Sequence, residues 1–133
     1  WAVQPRATNL ALFGLWGSSA TDVWAVGEGG VILRWHGTSW EPLPVDFGCT
    51  QNLNLFSVWG SAPDDVWLAG ATATESDCAT LLHWDGRQLN PMRGLPHSLT
   101  AIWGTPPSSG QKGQIFVAGR EGIILNQSYG DGK

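Results

Sequence analysis

The feature that most constrains the fold of this chain is a sequence motif that occurs three times. Each copy has a Trp-Gly step followed by Ser or Thr, then a short polar stretch, and then an apolar strand that ends in Gly. The copies begin at Trp16, Trp59 and Trp103, so they are spaced 43 and 44 residues apart. This period is typical of the four-stranded blade of a β-propeller. Because one such unit cannot bury its apolar face alone, the three units are expected to stack on one another.

The composition agrees with many short strands and restricts the classes of partner. The 133 residues are 42% hydrophobic and 14% charged, which is too apolar for a disordered chain and too low in charge for a helical bundle. The 18 glycines and 8 prolines suit tight turns between strands. A net charge of -4 and the lack of a Lys/Arg stripe argue against a nucleic-acid partner. No apolar run is long enough for a membrane span, so none is expected.

Each copy of the motif divides into four short strand candidates rich in apolar, β-branched and aromatic residues. The sequence therefore predicts an all-β fold, a β-propeller with three four-stranded antiparallel blades at about 12–43, 55–92 and 99–133. Residues 1–3 align with the outer strand that begins at Trp40, and the third repeat stops before its own outer strand. Residues 1–3 are therefore predicted to be an outer strand that completes another blade.

Three blades are fewer than the roughly four to eight of known propeller rings. If each open flank exposes about 500 Å² of apolar surface, covering it contributes on the order of 12 kcal/mol before opposing terms. Two arrangements would cover the flanks. In the first, two copies of the chain form a six-bladed ring, each supplying the strand that the other lacks. In the second, the chain is part of a longer propeller that supplies the missing blades. The sequence leaves both open.

The two cysteines, Cys49 and Cys78, fall in long loops that are expected to emerge at the same end of the blades. They are either two independent thiols or one disulfide. A bridge that ties these loops would contribute about 3 kcal/mol in the loop-entropy model. It would also favour a secreted, periplasmic or cell-surface location.

The same two loops carry polar side chains that are candidates for ligand binding: Gln51, Asn52, Glu75 and Asp77. One interpretation is a recognition rim with a cation at Glu75 and Asp77. The other is a set of solvated loop residues, which is favoured because two carboxylates without a fixed spacing are weak evidence for a metal. No metal site and no cofactor are predicted.

All nine tryptophans occupy positions of the repeat, so most are expected to be packing residues between blades. Trp35 and Trp84 are expected nearest the rim, beside His36 and Asp85. These four residues are the candidates for stacking on a sugar and binding its hydroxyl groups. No arrangement of nucleophile, base and acid is readable, and no two histidines have the spacing of zinc ligands. An enzyme is therefore not the favoured interpretation.

The string W-G-S-x-x-x-D-V-W-A-V-G, followed by G-x-I-L-x-W-x-G-x-x-W, resembles the Trp-rich repeats of bacterial secreted β-propellers, relatives of the kelch and galactose-oxidase types. The turns at 84–86 and 130–133 resemble the Asp-box of sialidase-like propellers, although the full Ser-x-Asp-x-Gly-x-Thr-Trp string is not intact. Nothing in the chain matches the copper ligands or the arginine triad of the enzymatic relatives.

The resemblance implies a non-catalytic binding module of an exported bacterial protein. The alternatives are a carbohydrate-binding lectin that assembles by blade oligomerisation and a fragment of a propeller enzyme. The expected partners are another copy of the chain or further blades, together with a protein or glycan ligand.

Overall fold

The computed structural model describes residues 1–48, 53–73 and 78–130. These residues form three antiparallel β-sheets, and the strands of each sheet lie side by side in chain order. The first sheet contains β1 (Leu12–Ser19), β2 (Asp22–Gly27), β3 (Ile32–Trp35) and β4 (Trp40–Pro42). The second contains β5 (Leu53–Ala62), β6 (Asp65–Thr72), β7 (Leu81–Trp84) and β8 (Leu89–Met92). The third contains β9 (Leu99–Thr105), β10 (Gly113–Gly119) and β11 (Ile124–Tyr129).

The predicted all-β propeller architecture is confirmed. The first two sheets have four strands, and the third has three within the described residues. The turns after β2 and β10 are single 3₁₀ turns, at Glu28–Gly30 and Arg120–Gly122. Over the described ranges, no helix has the length and apolar character needed to cross a membrane.

Each sheet has two unlike faces because successive side chains of a strand point to opposite sides. One face, termed the Trp face, carries aromatic residues on the first two strands. Its cross-strand register sets are Trp16, Trp24 and Arg34; Trp59, Trp67 and His83; and Trp103, Phe116 and Asn126. The other face, termed the aliphatic face, carries small and branched residues. Its register sets are Leu15, Ala25 and Leu33; Val58, Leu68 and Leu82; and Ile102, Val117 and Leu125.

The sheets stack with the Trp face of one against the aliphatic face of the next. Between the first and second sheets, the core combines Trp24, Val26 and Ile32 with Val58, Leu68 and Leu82. Between the second and third sheets, it combines Trp67, Ala69 and Leu81 with Ile115 and Val117. Burying each large apolar side chain contributes about 1.5–3 kcal/mol. The apolar residues of the repeat therefore stabilise the two interfaces between neighbouring sheets.

Glycine ends β2 and β10 because the backbone that precedes the first strand of each of these sheets passes close by. A Cβ atom on Gly27 would lie 2.0 Å from the carbonyl oxygen of Ala11. A Cβ atom on Gly119 would lie 1.8 Å from the carbonyl oxygen of Ser98. The Gly of the sequence motif is therefore a packing requirement.

The two ends of the stack are built differently. Residues 4–8 form no strand and lie over the aliphatic face of the first sheet, where Ala25 and Leu33 are buried. The indole Nε1 of Trp40 donates a hydrogen bond to Oε1 of Gln4 at 2.9 Å. Residues 1–3 also form no strand, and the side chain of Trp1 is exposed. Their pairing as an outer strand requires another blade, so it stays a prediction.

Candidate functional site

One end of the sheets gathers the links between sheets and the turns after the second strands, and we term it the link end. The link from the second to the third sheet is held there by two hydrogen bonds from the second sheet. The backbone N–H of Thr72 donates to the carbonyl of His97 at 2.9 Å, and the hydroxyl of Thr80 donates to the carbonyl of Pro96 at 2.8 Å. The link therefore forms a fixed wall.

This wall and the turn after β10 enclose an open cleft of about 760 Å³, which we term the link cleft. Its lining residues are Gly94, Leu95, Pro96, His97, Ser98, Arg120, Glu121 and Ile123. The cleft thus combines apolar walls with an imidazole, a hydroxyl, a guanidinium and a carboxylate.

Glu121 has a left-handed backbone conformation, with φ 60 and ψ 27. It is the one non-glycine residue with positive φ in the described ranges. The same position in the first sheet is Gly29, with φ 67 and ψ 14. A residue with a Cβ atom in this left-handed region costs about 1–2 kcal/mol. The turn after β10 therefore retains a carboxylate at the cleft despite a backbone cost that glycine would avoid.

Ser98 also lines the link cleft. Its side chain is buried, and within the described residues its hydroxyl has no hydrogen-bond partner. A buried hydroxyl without a partner costs about 1–3 kcal/mol.

The predicted sugar-stacking tryptophans do not meet at one surface. Trp84 lies between the first and second sheets, with its ring centroid 5.5 Å from that of Trp24. The guanidinium of Arg34 lies over the rings of Trp24 and Trp84, at 4.9 and 5.4 Å from their centroids. Trp35 follows Arg34 in β3 and so points to the opposite side of the first sheet. Its ring lies 5.6 Å from that of Trp40, and its Nε1 donates to the carbonyl of Ala20 at 3.2 Å.

The polar neighbours of these two tryptophans serve local contacts. Asp85 accepts hydrogen bonds from the backbone N–H groups of Gln88, at 2.9 Å, and Arg87, at 2.8 Å. These bonds and a third from Asn90 lower the pKa of Asp85 to about 2. His36 and Glu41 are exposed and lie 3.6 Å apart, between Nε2 and Oε2. Asp85 is thus the acceptor that closes the turn after β7.

The other predicted binding residues fall in the segments 49–52 and 74–77. Gln51, Asn52, Glu75 and Asp77 lie outside the described residues. Over the ranges that are described, no group of three or more His, Cys, Asp or Glu is placed to hold a metal ion.

Cys49 also lies outside the described residues, so the predicted Cys49–Cys78 disulfide stays a prediction. Two observations bear on it. The backbone N–H of Ala79 donates to the carbonyl of Phe47 at 3.2 Å, which brings the two cysteine-bearing loops together. The described part of the chain contains no free thiol.

At the start of the second strand, an aspartate carboxylate binds a serine hydroxyl and a basic side chain of the third strand, and we term this set of contacts a Ser-Asp tie. The sequence motif contains the serine and the aspartate but does not identify the basic residue. Asp22 accepts from the hydroxyl of Ser18 at 2.5 Å and from Nε of Arg34 at 2.9 Å. In the second sheet, Asp65 accepts from the hydroxyl of Ser61 and lies 2.7 Å from Nε2 of His83.

The environment of Asp65 favours its charged form. Burial raises the pKa of Asp65, but hydrogen bonds from His83 and Ser61 and the charge of His83 outweigh burial. The pKa therefore lies below its ordinary value of 3.8. Because this carboxylate in β6 binds Ser61 of β5 and His83 of β7, it joins three strands of one sheet, and the tie is structural.

Sequence reasoning missed the link cleft. One signal was present, because the turn Gly27-Glu28-Gly29-Gly30 returns as Gly119-Arg120-Glu121-Gly122, with Glu121 where Gly29 would be expected. The sequence shows this substitution, but it does not show that the position has a positive φ, and the strain at Glu121 depends on that angle.

A comparison with protein-family models finds no match, and a comparison with curated protein sequences finds none either. The chain is similar to a solved structure of YCF48 bound to D1 peptide, with a TM-score of 0.65 and 17% sequence identity. The match covers 92% of this chain and 41% of that chain, so this chain spans about two fifths of the length of that structure. The likeness agrees with the three stacked sheets and shows that they are blades of a β-propeller.

Proposed function

We propose that the chain is a non-catalytic binding module that takes a segment of another protein in the link cleft. The observation that carries the proposal is that Glu121, kept in a left-handed conformation, and Ser98, whose hydroxyl has no hydrogen-bond partner among the described residues, line one cleft. The YCF48 structure, which contains a bound peptide, supports a peptide as the class of ligand. That likeness concerns the fold, so the ligand is carried over as part of the proposal.

The chemistry of the link cleft suits a peptide better than an apolar molecule. A peptide backbone offers both N–H donors and carbonyl acceptors. Glu121 can accept a hydrogen bond, Arg120 can donate, and the hydroxyl of Ser98 can do either. Leu95 and Ile123 provide apolar contact for a side chain of the ligand. The expected ligand is a short linear segment with at least one charged side chain.

The test begins with selection of linear peptides from a phage-displayed library on the immobilised chain, followed by titration of a labelled selected peptide. Arg120→Ala removes a charged donor from the cleft and should weaken binding about tenfold or more. Lys112→Ala is the matched control, because it removes one exposed positive charge from the loop between β9 and β10. Equal effects of the two changes, or failure to select any peptide, would contradict the proposal.

The lectin alternative is tested in parallel on a glycan array. Trp35 is the candidate to follow, since its ring pairs with that of Trp40 beside the exposed His36. Glycan binding that is lost with Trp35→Ala would favour the lectin and argue against the protein-binding proposal. Glycan binding that survives this change would remove the lectin idea in this form.

Export from a bacterial cell and kinship with kelch-type and galactose-oxidase-type propellers belong to the same proposal. Export is supported by the approach of the two cysteine-bearing loops and by the lack of a free thiol in the described residues. The kinship is supported by the repeat strings quoted above. Fractionation of the native cells tests export: recovery of the chain only in the reducing cytosol would contradict it.

A further inference from the structure

A groove lies beside the last strands of the first and second sheets, and we term it the rim groove. Its volume is about 570 Å³. One wall is the link that follows β4, with Leu43, Pro44 and Val45, and the other wall is β8, with Leu89 and Pro91. Both sheets that flank it have four strands in the described residues. The rim groove therefore lies between two neighbouring sheets and belongs to neither outer face of the stack.

The walls of the rim groove are apolar and partly open to solvent. In the link, Leu43 and Val45 are half-buried and pack against the core between the first and second sheets, whereas Pro44 is exposed. In β8, Leu89 is half-buried against the same core, and Pro91 is exposed. The volume of the groove is within the range of sites that bind ligands. Its walls thus offer apolar contact to a few side chains of a partner.

Two guanidinium groups line the same groove. Arg87 precedes β8 and Arg93 follows it, so they flank this strand at opposite ends. Arg87 is exposed, and none of the described carboxylates lies within ion-pair distance of its guanidinium. The guanidinium of Arg93 packs against Gly48, where a Cβ atom would lie 1.9 Å from Nη2. Positive charge is therefore present at both ends of the apolar walls.

The carboxylates near the rim groove are engaged by their own turns. Asp46 lines the groove, and its Oδ1 accepts a hydrogen bond from the backbone N–H of Gly48 at 2.7 Å. Asp85 does not line the groove and accepts from the backbone N–H groups of Arg87 and Gln88. Two guanidinium groups and one carboxylate give the lining a net charge of +1, whereas the whole chain carries -4. A positive lining on an acidic protein favours an acidic partner.

The spacing of the two arginines indicates the length of the partner. Arg93 is six positions after Arg87, and most of the chain between them is the strand β8. At about 3.3 Å per residue, a stretch of this length spans at most roughly 20 Å. An extended partner that follows the groove would therefore place acidic side chains about six positions apart, with apolar side chains between them.

We propose that the rim groove docks an acidic linear segment of another protein, in which two acidic side chains flank an apolar centre. The carboxylates meet Arg87 and Arg93, and the apolar centre lies between the link and β8. Because Pro91 has no backbone N–H, addition of the segment as a further strand on β8 is disfavoured, and side chains carry the recognition. This inference does not depend on a ligand in the link cleft, since the two sites share no lining residue.

The first test measures binding of the intact chain to arrays of synthetic seven-residue peptides. One array has Glu at the first and last positions with variable apolar residues between them. A second array has Lys at both ends, and a third keeps the Glu ends with Ser between them. Only the first array should bind. Equal binding to the Lys-ended array, or no binding to the first array, overturns the proposal.

The second test titrates a labelled peptide from the first array against three variants that circular dichroism shows to be folded. Arg87→Glu reverses the charge at one end of the rim groove and should raise the dissociation constant about tenfold or more. Lys112→Glu makes the same change on the exposed loop between β9 and β10 and should change it by less than about threefold. Arg120→Ala reports on the link cleft.

The pattern of the three variants separates this inference from the proposed function. The largest loss with Arg87→Glu supports the rim groove, whether or not a peptide also binds in the link cleft. A larger loss with Arg120→Ala assigns the peptide to the link cleft and overturns the inference. An effect of Arg87→Glu no greater than that of Lys112→Glu also overturns it, because the attraction would then depend on the overall charge.

Discussion

Replacing Glu121 with glycine should stabilise the protein although it removes a side chain. At φ 60 and ψ 27, Glu121 has a left-handed backbone that costs a residue with a Cβ atom about 1–2 kcal/mol. Glycine avoids that cost but loses about 0.5–1 kcal/mol through the greater freedom of the unfolded chain. Glu121→Gly should therefore raise the free energy of unfolding by roughly 0.5–1 kcal/mol. For a chain of this size, that raises Tm by about 2–5 °C.

Urea unfolding monitored by tryptophan fluorescence measures the effect, and the slope against urea should not change. Two variants separate backbone from side chain. Glu121→Ala removes the carboxylate but keeps the strain, so it should leave stability within about 0.5 kcal/mol of the wild type. Gly29→Ala introduces the strain where a Cβ atom has room, with the nearest atom 4.0 Å away, and should cost about 1 kcal/mol. If Glu121→Gly leaves Tm unchanged or lowers it, the strain argument is refuted.

Three further predictions concern the folded stack. Since the pKa of Asp65 is lowered from 3.8 in the folded chain, its contribution to stability is present above that value and is lost as the pH falls through the lower folded pKa. The free energy of unfolding, measured as a function of pH, should show this loss at acid pH. The loss should be smaller in Asp65→Asn. The same acid dependence in Asp65→Asn and the wild type would argue against the tie to His83. Reduction of a Cys49–Cys78 bridge should lower the free energy of unfolding by about 3 kcal/mol. An intact mass that gains no hydrogens on reduction would contradict the bridge. Gly119→Ala should cost about 3 kcal/mol in urea unfolding, because its Cβ would meet a carbonyl oxygen at 1.8 Å, and a loss below about 1 kcal/mol would contradict that close approach.

The stacked sheets could be predicted from the sequence because their signal is local and repeated. The Asp-Val-Trp strings at 22–24 and 65–67 begin β2 and β6, and each strand continues to a glycine that the backbone requires. The spacing of Trp16 and Trp59 gives the length of the repeat directly from the sequence, without any information on contacts. Because the same pattern occurs more than once, each copy supports the strand assignment of the other. The strand order can therefore be predicted from the sequence.

The candidate site could not be predicted because it depends on where each repeat lies in the stack. Trp35 and Trp84 occupy the same register position, opposite Val23 and Val66. The first sheet packs against the face of the second sheet that carries Trp84. Trp35 instead lies on the face of the first sheet that no other sheet of the described chain covers. Equal sequence positions therefore have unequal surroundings. The link cleft shows the same limit, since its walls come from two separate segments. Its features are the backbone angle of Glu121 and a Ser98 hydroxyl without a partner among the described residues.

The ties at the start of the second strands explain how the repeat tolerates charge inside a stack. Arg34 lies on a covered Trp face, and Asp22 neutralises it at 2.9 Å, because a charge removed from water without a partner is costly. The third sheet has Gln114 in place of the aspartate and Asn126 in place of the cation, and Gln114 donates to the hydroxyl of Ser128 at 2.7 Å. An uncharged tie needs no counter-ion when the face is covered. The third sheet therefore holds its tie without a charge that would have to be neutralised inside the stack.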